Sequence, residues 1–224
     1  MQTIYMNLSI EFKKPEVKAS YDWQLTQEIN VSNEAGEVIA KAEIELITLN
    51  KHRDADKSFE MLDEQEATDW EIPLGVYFKK QNLIADYCDK LLVKADTNAK
   101  THIMIEAISV QPQYRKQGVA QYLLNEIAQH YPKVQSLNLM SMAMNLFVDL
   151  EFCNGEENTQ YYTNLALENE VIANEELKAN EELKAFFTAS GFMEVEIDAS
   201  LLAEPLPYDI FVASPATIQA AVSK

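Results

Sequence analysis

The stretch Thr101–Tyr131, THIMIEAISVQPQYRKQGVAQYLLNEIAQHY, decides the fold. Its first third is apolar and rich in β-branched side chains, which is typical of a buried strand. Pro112 ends that strand, because proline has no N–H to give to a sheet ladder. From Gly118 onward apolar residues recur at helical spacing, and Pro132 follows the last of them, which predicts a helix that ends there.

A strand, a tight turn and a helix start in succession make an anion site. The first N–H groups of a helix have no partner inside it, and the positive end of the helix dipole lies there. Gly118 lets a ligand approach the backbone closely, and Arg115 and Lys116 add positive charge beside the same point. The stretch therefore predicts a site for a phosphate or a pyrophosphate.

Residues 108–124, ISVQPQYRKQGVAQYLL, resemble the acetyl-CoA signature of the GNAT N-acetyltransferase superfamily. That signature is a strand ending in V-x-P-x-Y, followed by R/Q-x-x-G-x-G/A at the start of a helix. The matching residues are Val110, Pro112, Tyr114, Arg115, Gly118, Ala120, Leu123 and Leu124. The alternative is an ordinary strand-to-helix turn with a helix-capping glycine.

The resemblance implies an α/β (α+β) fold with a mixed, mostly antiparallel central sheet and flanking helices. Residues 134–141, VQSLNLMS, are the next strand, which would run parallel to the 102–111 strand and splay away from it. A strand–helix–strand unit of this kind has a right-handed crossover. We expect one GNAT-like domain over residues 1–224, with an insertion at about 142–178.

The implied co-substrate is acetyl-CoA, with no metal. Its pyrophosphate would lie on the turn and its pantetheine arm in the gap between the splayed strands. The cofactor-binding residues that the resemblance implies are Ile108, Ser109, Val110, Arg115, Lys116, Gln117, Gly118, Val119, Ala120 and Asn180.

A second landmark lies in NEELKAFFTASGF, residues 180–192, which resembles the GNAT helix ending in Y-x-x-x-G-F. Asn180 matches the asparagine at that helix start, where it contacts the CoA arm in the family. Gly191 is the expected glycine at the helix end. The sequence departs from the pattern at Phe187, where the family usually has a tyrosine.

The remainder of the chain offers weaker signals. Residues 4–12, 21–31 and 37–49 alternate as strands, and the slip of the pattern at Ile47 and Leu49 predicts either a bulge or a doubly buried end. Residues 54–92 have a helical composition, with Ser58 and Asn82 as expected caps. Residues 192–197 and 208–213 are the expected last strands. Acidic side chains of the 54–92 segment either face a cationic substrate or form a solvated helix face, and the second interpretation is favoured for most of them.

A tandem hexapeptide, ANEELK, occupies residues 173–178 and again 179–184. Six residues turn a helix by about 240°, so Leu177 and Leu183 do not share a face. Leu183 pairs with Phe187 at helical spacing and is the better core residue. The first copy is interpreted as a solvated extension of little functional meaning.

The chain is strongly acidic, with a formal net charge of −18 and a pI of about 4.5. This argues against nucleic acid as a partner, because such binding depends on lysine and arginine meeting phosphates. It agrees with an amine-bearing small molecule or protein as the substrate, drawn in by the field if it is cationic. Solubility alone explains the charge equally well.

Cys88 and Cys153 are expected to be free thiols in a reducing cytoplasm, since the start of the chain shows no secretory signal. No apolar run reaches the ~20 residues that a membrane span needs. The 142–172 stretch is expected to serve as a lid, a dimer element or a loop, so a homodimer stays open.

The implied reaction moves an acetyl group from CoA sulfur to an amine. A base must take the amine's proton, and Glu106 is the candidate because many GNAT proteins have a glutamate at that strand position. Its apolar neighbours predict burial and a raised pKa, whereas the alternative is a carboxylate hydrogen-bonded within the sheet. His102 is a weaker candidate.

Two further tasks belong to the same reaction. By the resemblance, the N–H of Val110 would polarise the thioester carbonyl. Phe187 has no proton to give to the leaving thiolate, which leaves Tyr161, Tyr162 or Tyr208 as substitutes. Three functions therefore follow: an active N-acetyltransferase, a catalytically impaired GNAT-like acetyl-CoA-binding protein, and an acidic interaction protein with a coincidental motif.

Overall fold

A computed structural model of the chain describes residues 7–17, 23–49, 70, 78–79, 82–83, 85–93, 100–141, 173–197, 206 and 208–223. Predictions for residues 4–6, most of 50–84 and all of 142–172 lie outside the described residues, together with Cys153, Tyr161 and Tyr162. The insertion, the Ser58 cap and most of the acidic run therefore stay predictions.

Most of the described strands fall close to the sequence predictions. Those at residues 16–17, 78–79 and 82–83 were not predicted, and the last two lie in a segment that was expected to be helical. Their bounds are β1 (Ser9–Phe12), β2 (Glu16–Val17), β3 (Gln24–Ser32), β4 (Val38–Leu49), β5 (Phe78–Lys79), β6 (Asn82–Leu83), β7 (Lys100–Val110), β8 (Ser136–Ser141), β9 (Met193–Glu194) and β10 (Asp209–Ala213). The helices are α1 (Ala85–Lys90), α2 (Val119–His130), α3 (Ala173–Ala189) and α4 (Pro215–Val222).

The main sheet has the order β1-β3-β4-β7-β8-β10-β9, with β2 also paired to β3, and β5 and β6 form a separate hairpin. Its described pairs are antiparallel except for β7 with β8, which run parallel. The predicted fold class, a mixed and mostly antiparallel sheet with flanking helices, is confirmed.

The central strand β7 contains a β-bulge. Opposite β4, Ile105 pairs with Ile44 and Ala107 pairs with Glu43, so Glu106 is the extra residue of β7. No bulge lies at Ile47, where the register runs evenly; the consecutive residues Glu45, Leu46 and Ile47 are all buried, so the other alternative, a strand end buried on both faces, agrees with the structure. Alternation within β4 could not locate the bulge, since the extra residue is in the partner strand.

One apolar core lies under α2. Val119, Leu123, Leu124, Ile127 and Ala128 are buried on that helix and pack with inward residues of β3, β4, β7 and β8. These positions repeat at helical spacing, which is why the sequence predicted the helix correctly.

Two element predictions are wrong. Asn82 is in strand β6 rather than at a helix cap. The helix α4 was not predicted, although Ser214 and Thr217 form a reciprocal capping box around Pro215.

Helix α3 begins at Ala173 and runs through both copies of ANEELK without a break. Residues 173–178 therefore form its first turns. Asn180 lies inside the helix, not at its start. The described helices include none that is long and apolar enough to cross a membrane.

Candidate functional site

Strands β7 and β8 separate partway along their length. Their parallel pairing runs from His102 opposite Ser136 to Ile105 opposite Leu139. Beyond Ile105, the remainder of β7 pairs with β4 alone among the described strands, while β8 stays paired to β10 as far as Ser141. The bulge at Glu106 coincides with the point of separation, so a V-shaped gap opens beside the end of β7.

The backbone of Val110 faces this gap. Val110 lies opposite Ala40, and the next residue, Gln111, donates its N–H to the carbonyl of Ile39 at 2.9 Å. That bond makes Ala40–Val110 a non-hydrogen-bonded pair, whose own N–H and C=O groups point away from β4. Accordingly, the carbonyl of Val110 accepts a bond from Nε of Arg115 at 3.0 Å.

A loop at residues 115–120, called the phosphate loop below, joins β7 to α2. Gly118 is the N-cap of α2 with φ +87°, and Lys116 has φ +60°. A Cβ placed on Gly118 would meet nothing within 4 Å, so open space lies above the loop. Turns of this kind, with left-handed residues beside a helix start, form concavities that hold anions.

Main-chain donors are available in this loop. The first helical bond runs from Tyr122 N–H to the carbonyl of Gly118 at 2.9 Å, so the three preceding N–H groups have no partner within the helix. Within the described part of the chain, Lys116, Gln117 and Gly118 donate no backbone bond. The geometry fits a diphosphate that accepts several N–H groups at once.

The positive charge of the loop is partly engaged. Nζ of Lys116 lies 3.2 Å from Oε2 of Glu182, and both side chains are exposed. This ion pair brings the second ANEELK copy on α3 beside the phosphate loop. This contact was not predictable from sequence, because residues 116 and 182 are far apart in the chain.

Among known protein families, the Acetyltransferase (GNAT) family has a sequence model that residues 50–148 match. The GNAT resemblance is confirmed. No curated protein matches the sequence.

Solved structures that match this chain include two acetyltransferases. One is a Drosophila melanogaster polyamine N-acetyltransferase, with 14% identity, a TM-score of 0.36 and coverage of 84% of this chain and 74% of that chain. Another is Arabidopsis thaliana NAA60 in complex with acetyl-CoA, with 13% identity, a TM-score of 0.37 and coverage of 84% and 76%. At these values the likeness says nothing about the substrate of this chain.

The GNAT base candidate, Glu106, is exposed, so its expected burial is not observed. The bulge explains this, because an extra residue breaks the alternation that would have turned it inward. His102 is fully buried, and its Nδ1 lies 2.8 Å from Oγ of Ser136 in the closed part of the parallel pair. It lies on the paired side of the separation point, not in the gap.

Glu43 is a carboxylate that the sequence analysis missed. It lies opposite Ala107, directly beside the bulge, and its side chain is largely exposed. Desolvation raises the pKa of Glu43, and the charge of Glu28 acts in the same direction, while Lys41 opposes them. The GNAT signature gave no signal for it, because Glu43 belongs to the neighbouring strand.

The second GNAT landmark falls on the C-terminal half of α3. Phe187 is 3% exposed and belongs to the main core. Its ring centroid lies 5.7 Å from those of Phe192 and Phe211 and 5.2 Å from that of Phe186. Asn180 is half-buried, two residues before Glu182, so it is on the segment that reaches the phosphate loop.

The described residues contain no group of three or more His, Cys, Asp or Glu side chains placed to hold a metal ion.

Proposed function

We propose that this protein is an acetyl-CoA-dependent N-acetyltransferase that moves an acetyl group to the primary amine of a small molecule or protein. One observation carries the proposal: the gap between β7 and β8 opens directly beside a helix start with free main-chain donors. A strand edge for the pantetheine arm and a cradle for the diphosphate therefore lie at the two ends of one short segment. The GNAT family match agrees with this arrangement.

Each proposed binding residue has a physical task. The backbone of Ile108, Ser109 and Val110 lines the gap, and the alternation of the ladder turns the groups of Ile108 and Val110 toward it. The N–H groups of the phosphate loop and the guanidinium of Arg115 bind the phosphates. These residues are Arg115, Lys116, Gln117, Gly118, Val119 and Ala120, with Asn180 reaching the arm from α3.

The transfer requires an amine nitrogen to attack the thioester carbon while the carbon–sulfur bond breaks. We assign Glu106, at the point where the strands separate, to accept the ammonium proton directly or through water. The N–H of Val110 faces the same gap and donates to the carbonyl oxygen as it becomes negative. The departing electron pair stays on sulfur as a thiolate.

The test has two stages. Calorimetric titration with acetyl-CoA measures binding, and release of free thiol in the presence of a panel of amines measures transfer. We expect binding in the micromolar range and thiol release that depends on one amine class. Absence of binding at millimolar acetyl-CoA would overturn the proposal.

A second candidate function is an acetyl-CoA-binding protein with impaired turnover. It is favoured by Phe187, which has no proton to give where the family pattern has a tyrosine. A missing general acid typically lowers the rate ~10²–10⁴-fold, although a thiolate with a pKa near ~8.5 leaves unaided at a slower rate. Binding without thiol release on any amine would favour this candidate.

Phe187→Tyr tests the point directly. Since Phe187 is almost fully buried among aromatic rings, the added hydroxyl has to find a partner or stay unsatisfied. We expect a stability loss of about 1–3 kcal/mol, the cost of an unpaired buried hydroxyl, in thermal melts. Unchanged stability together with faster thiol release would instead place the position 187 hydroxyl in the cleft and support the lost-acid explanation.

A further inference from the structure

The turn between β3 and β4, residues 33–37, is a tightly closed structure. Oδ1 of Asn33 accepts the N–H groups of Ala35 and Glu37, each at 3.0 Å. Gly36 has φ +79°, which suits glycine at this place. Asn33 also donates its own N–H to the carbonyl of Glu37 at 3.0 Å. Hydrogen bonds within residues 33–37 therefore fix the conformation of the turn.

This turn contacts the segment that leads into the phosphate loop through Tyr114. Nδ2 of Asn33 donates to Oη of Tyr114 at 3.0 Å, and that hydroxyl donates to Oε2 of Glu37 at 3.1 Å. The phenol thus both accepts and donates within one turn. Its half-buried ring packs against the main core, so the hydroxyl is held at a fixed place.

A second attachment lies at Gln111, which is 5% exposed. Its N–H bonds to the carbonyl of Ile39 at 2.9 Å and its Nε2 bonds to that of Val38 at 2.7 Å. Its Oε1 accepts Nε2 of Gln113 at 2.7 Å, and the carbonyl of Gln113 accepts Nε2 of Gln117 at 2.6 Å. Hydrogen bonds therefore run from the start of β4 into the loop itself.

The loop needs such support. Lys116 has φ +60°, a conformation that non-glycine residues hold only where the surroundings impose it. A loop that is in its binding conformation for a fraction of the time loses affinity by that same fraction.

We infer that the 33–37 turn positions the phosphate loop, and that Tyr114 is the positioning residue through which it acts. This inference rests on the proposed function, since it takes the loop to bind the phosphates of acetyl-CoA. Asn33 and Glu37 touch no part of the proposed co-substrate site. They fix the loop amides in place through the phenol, and so reduce the conformational freedom lost on binding.

The experiment compares Tyr114→Phe with Tyr131→Phe. Tyr131 follows the other end of α2, is also half-buried, and bonds through its hydroxyl to Oε1 of Gln27. Tyr114→Phe loses two phenol bonds to side chains and Tyr131→Phe loses one, so the melting temperature should fall slightly in both variants and at least as far in Tyr114→Phe. In calorimetric titration we expect acetyl-CoA to bind Tyr114→Phe about three- to tenfold more weakly than the wild type, and Tyr131→Phe as the wild type does.

A third variant, Glu37→Gln, retains an oxygen that accepts the phenol bond and should keep wild-type affinity within about twofold, whereas Glu37→Ala should weaken binding as Tyr114→Phe does. Wild-type affinity in Tyr114→Phe, or equal losses in Tyr114→Phe and Tyr131→Phe, would overturn the positioning role and leave the proposed function intact. Failure of the wild-type protein to bind acetyl-CoA would overturn both.

Discussion

At the scale of single residues, Gly118 carries the sharpest prediction. Its φ of +87° favours glycine, and the space above its Cα is open. Gly118→Glu should therefore fold with a stability loss of about 1 kcal/mol and lose measurable acetyl-CoA binding, because a carboxylate would lie against the phosphates. Calorimetric titration and thermal melts measure the two effects.

The matched control is Gly118→Gln, which has the same size and backbone strain without the charge. We expect it to weaken binding clearly but to retain affinity at least tenfold better than Gly118→Glu. Equal affinities would mean that no anion lies above residue 118.

Glu43 gives a pH-dependent prediction. Desolvation, with the charge of Glu28, raises the pKa of Glu43 above its ordinary value of 4.5. A carboxyl group whose pKa is raised by folding destabilises the folded state once pH rises through that range, because it ionises less readily there than in the unfolded chain. Because the side chain of Glu43 is largely exposed, which limits the effect, Glu43→Gln should melt only slightly higher than the wild type at pH 7.

This difference in melting temperature should shrink as the pH falls toward about 4, where both states hold the proton. Melts at pH 7 and pH 4.5 give the comparison, with Glu34→Gln on the exposed 33–37 turn as a control for the loss of one charge. A gain of stability that is the same at both pH values would show that desolvation of Glu43 is not its source.

At this scale, the features that could be predicted from the sequence are those that depend on local backbone conformation alone. Gly118 was predicted at a helix start from the helical spacing of the apolar residues that follow it, and the structure has it there, as the left-handed N-cap of α2. Glu106 was expected to be buried from its apolar neighbours and is exposed, since a bulge depends on the partner strand rather than on β7 itself. Glu43 lies beside the bulge and Gln111 bonds to the start of β4 only because β4 pairs with β7. That pairing cannot be inferred from any single stretch of sequence.

At the scale of elements, the contact between α3 and the phosphate loop makes the second ANEELK copy relevant to binding. Lys116 pairs with Glu182 at 3.2 Å, so an incoming phosphate competes with a carboxylate for that cation. Glu182→Gln should bind acetyl-CoA more tightly, by up to about fivefold, since an exposed ion pair contributes at most about 1 kcal/mol. Titration at low salt gives the largest effect.

Glu181→Gln is the matched variant, because it removes the same charge from the neighbouring exposed position of the same repeat. It should change the affinity much less than Glu182→Gln does. If the two variants gain equally, the gain comes from net charge and not from the freed Lys116.

Helices and strands were predicted correctly where apolar residues repeat over many positions. The predictions failed where they concerned the residue at which a helix begins. Helix α2 was predicted from repeating apolar positions and β8 from its composition, while the parallel direction of β8 was implied by the GNAT resemblance. The start of α3 was misplaced because Asn180 was matched to a helix start, whereas the helix begins at Ala173, before the asparagines of both ANEELK copies. Helix α4 was missed although Ser214, Pro215 and Thr217 give a normal start signal.

At the scale of the whole molecule, a net charge of −18 surrounds a site that is proposed to bind a polyanion. Long-range repulsion slows the approach of acetyl-CoA, whereas the same field draws in a cationic amine. The charge alone does not distinguish solubility from substrate attraction, but the two explanations differ in how turnover responds to salt.

If the acceptor is cationic, kcat/KM for that amine should fall severalfold between about 20 mM and 200 mM salt, as the screening length shortens to below ~10 Å. An amine of low pKa, uncharged at the assay pH, should show no such fall. Acetyl-CoA is kept saturating at each salt concentration, so that its own screening does not enter the ratio. Equal salt dependence of both amines would assign the acidic surface to solubility, because a field that attracts substrate must act on the charged amine alone.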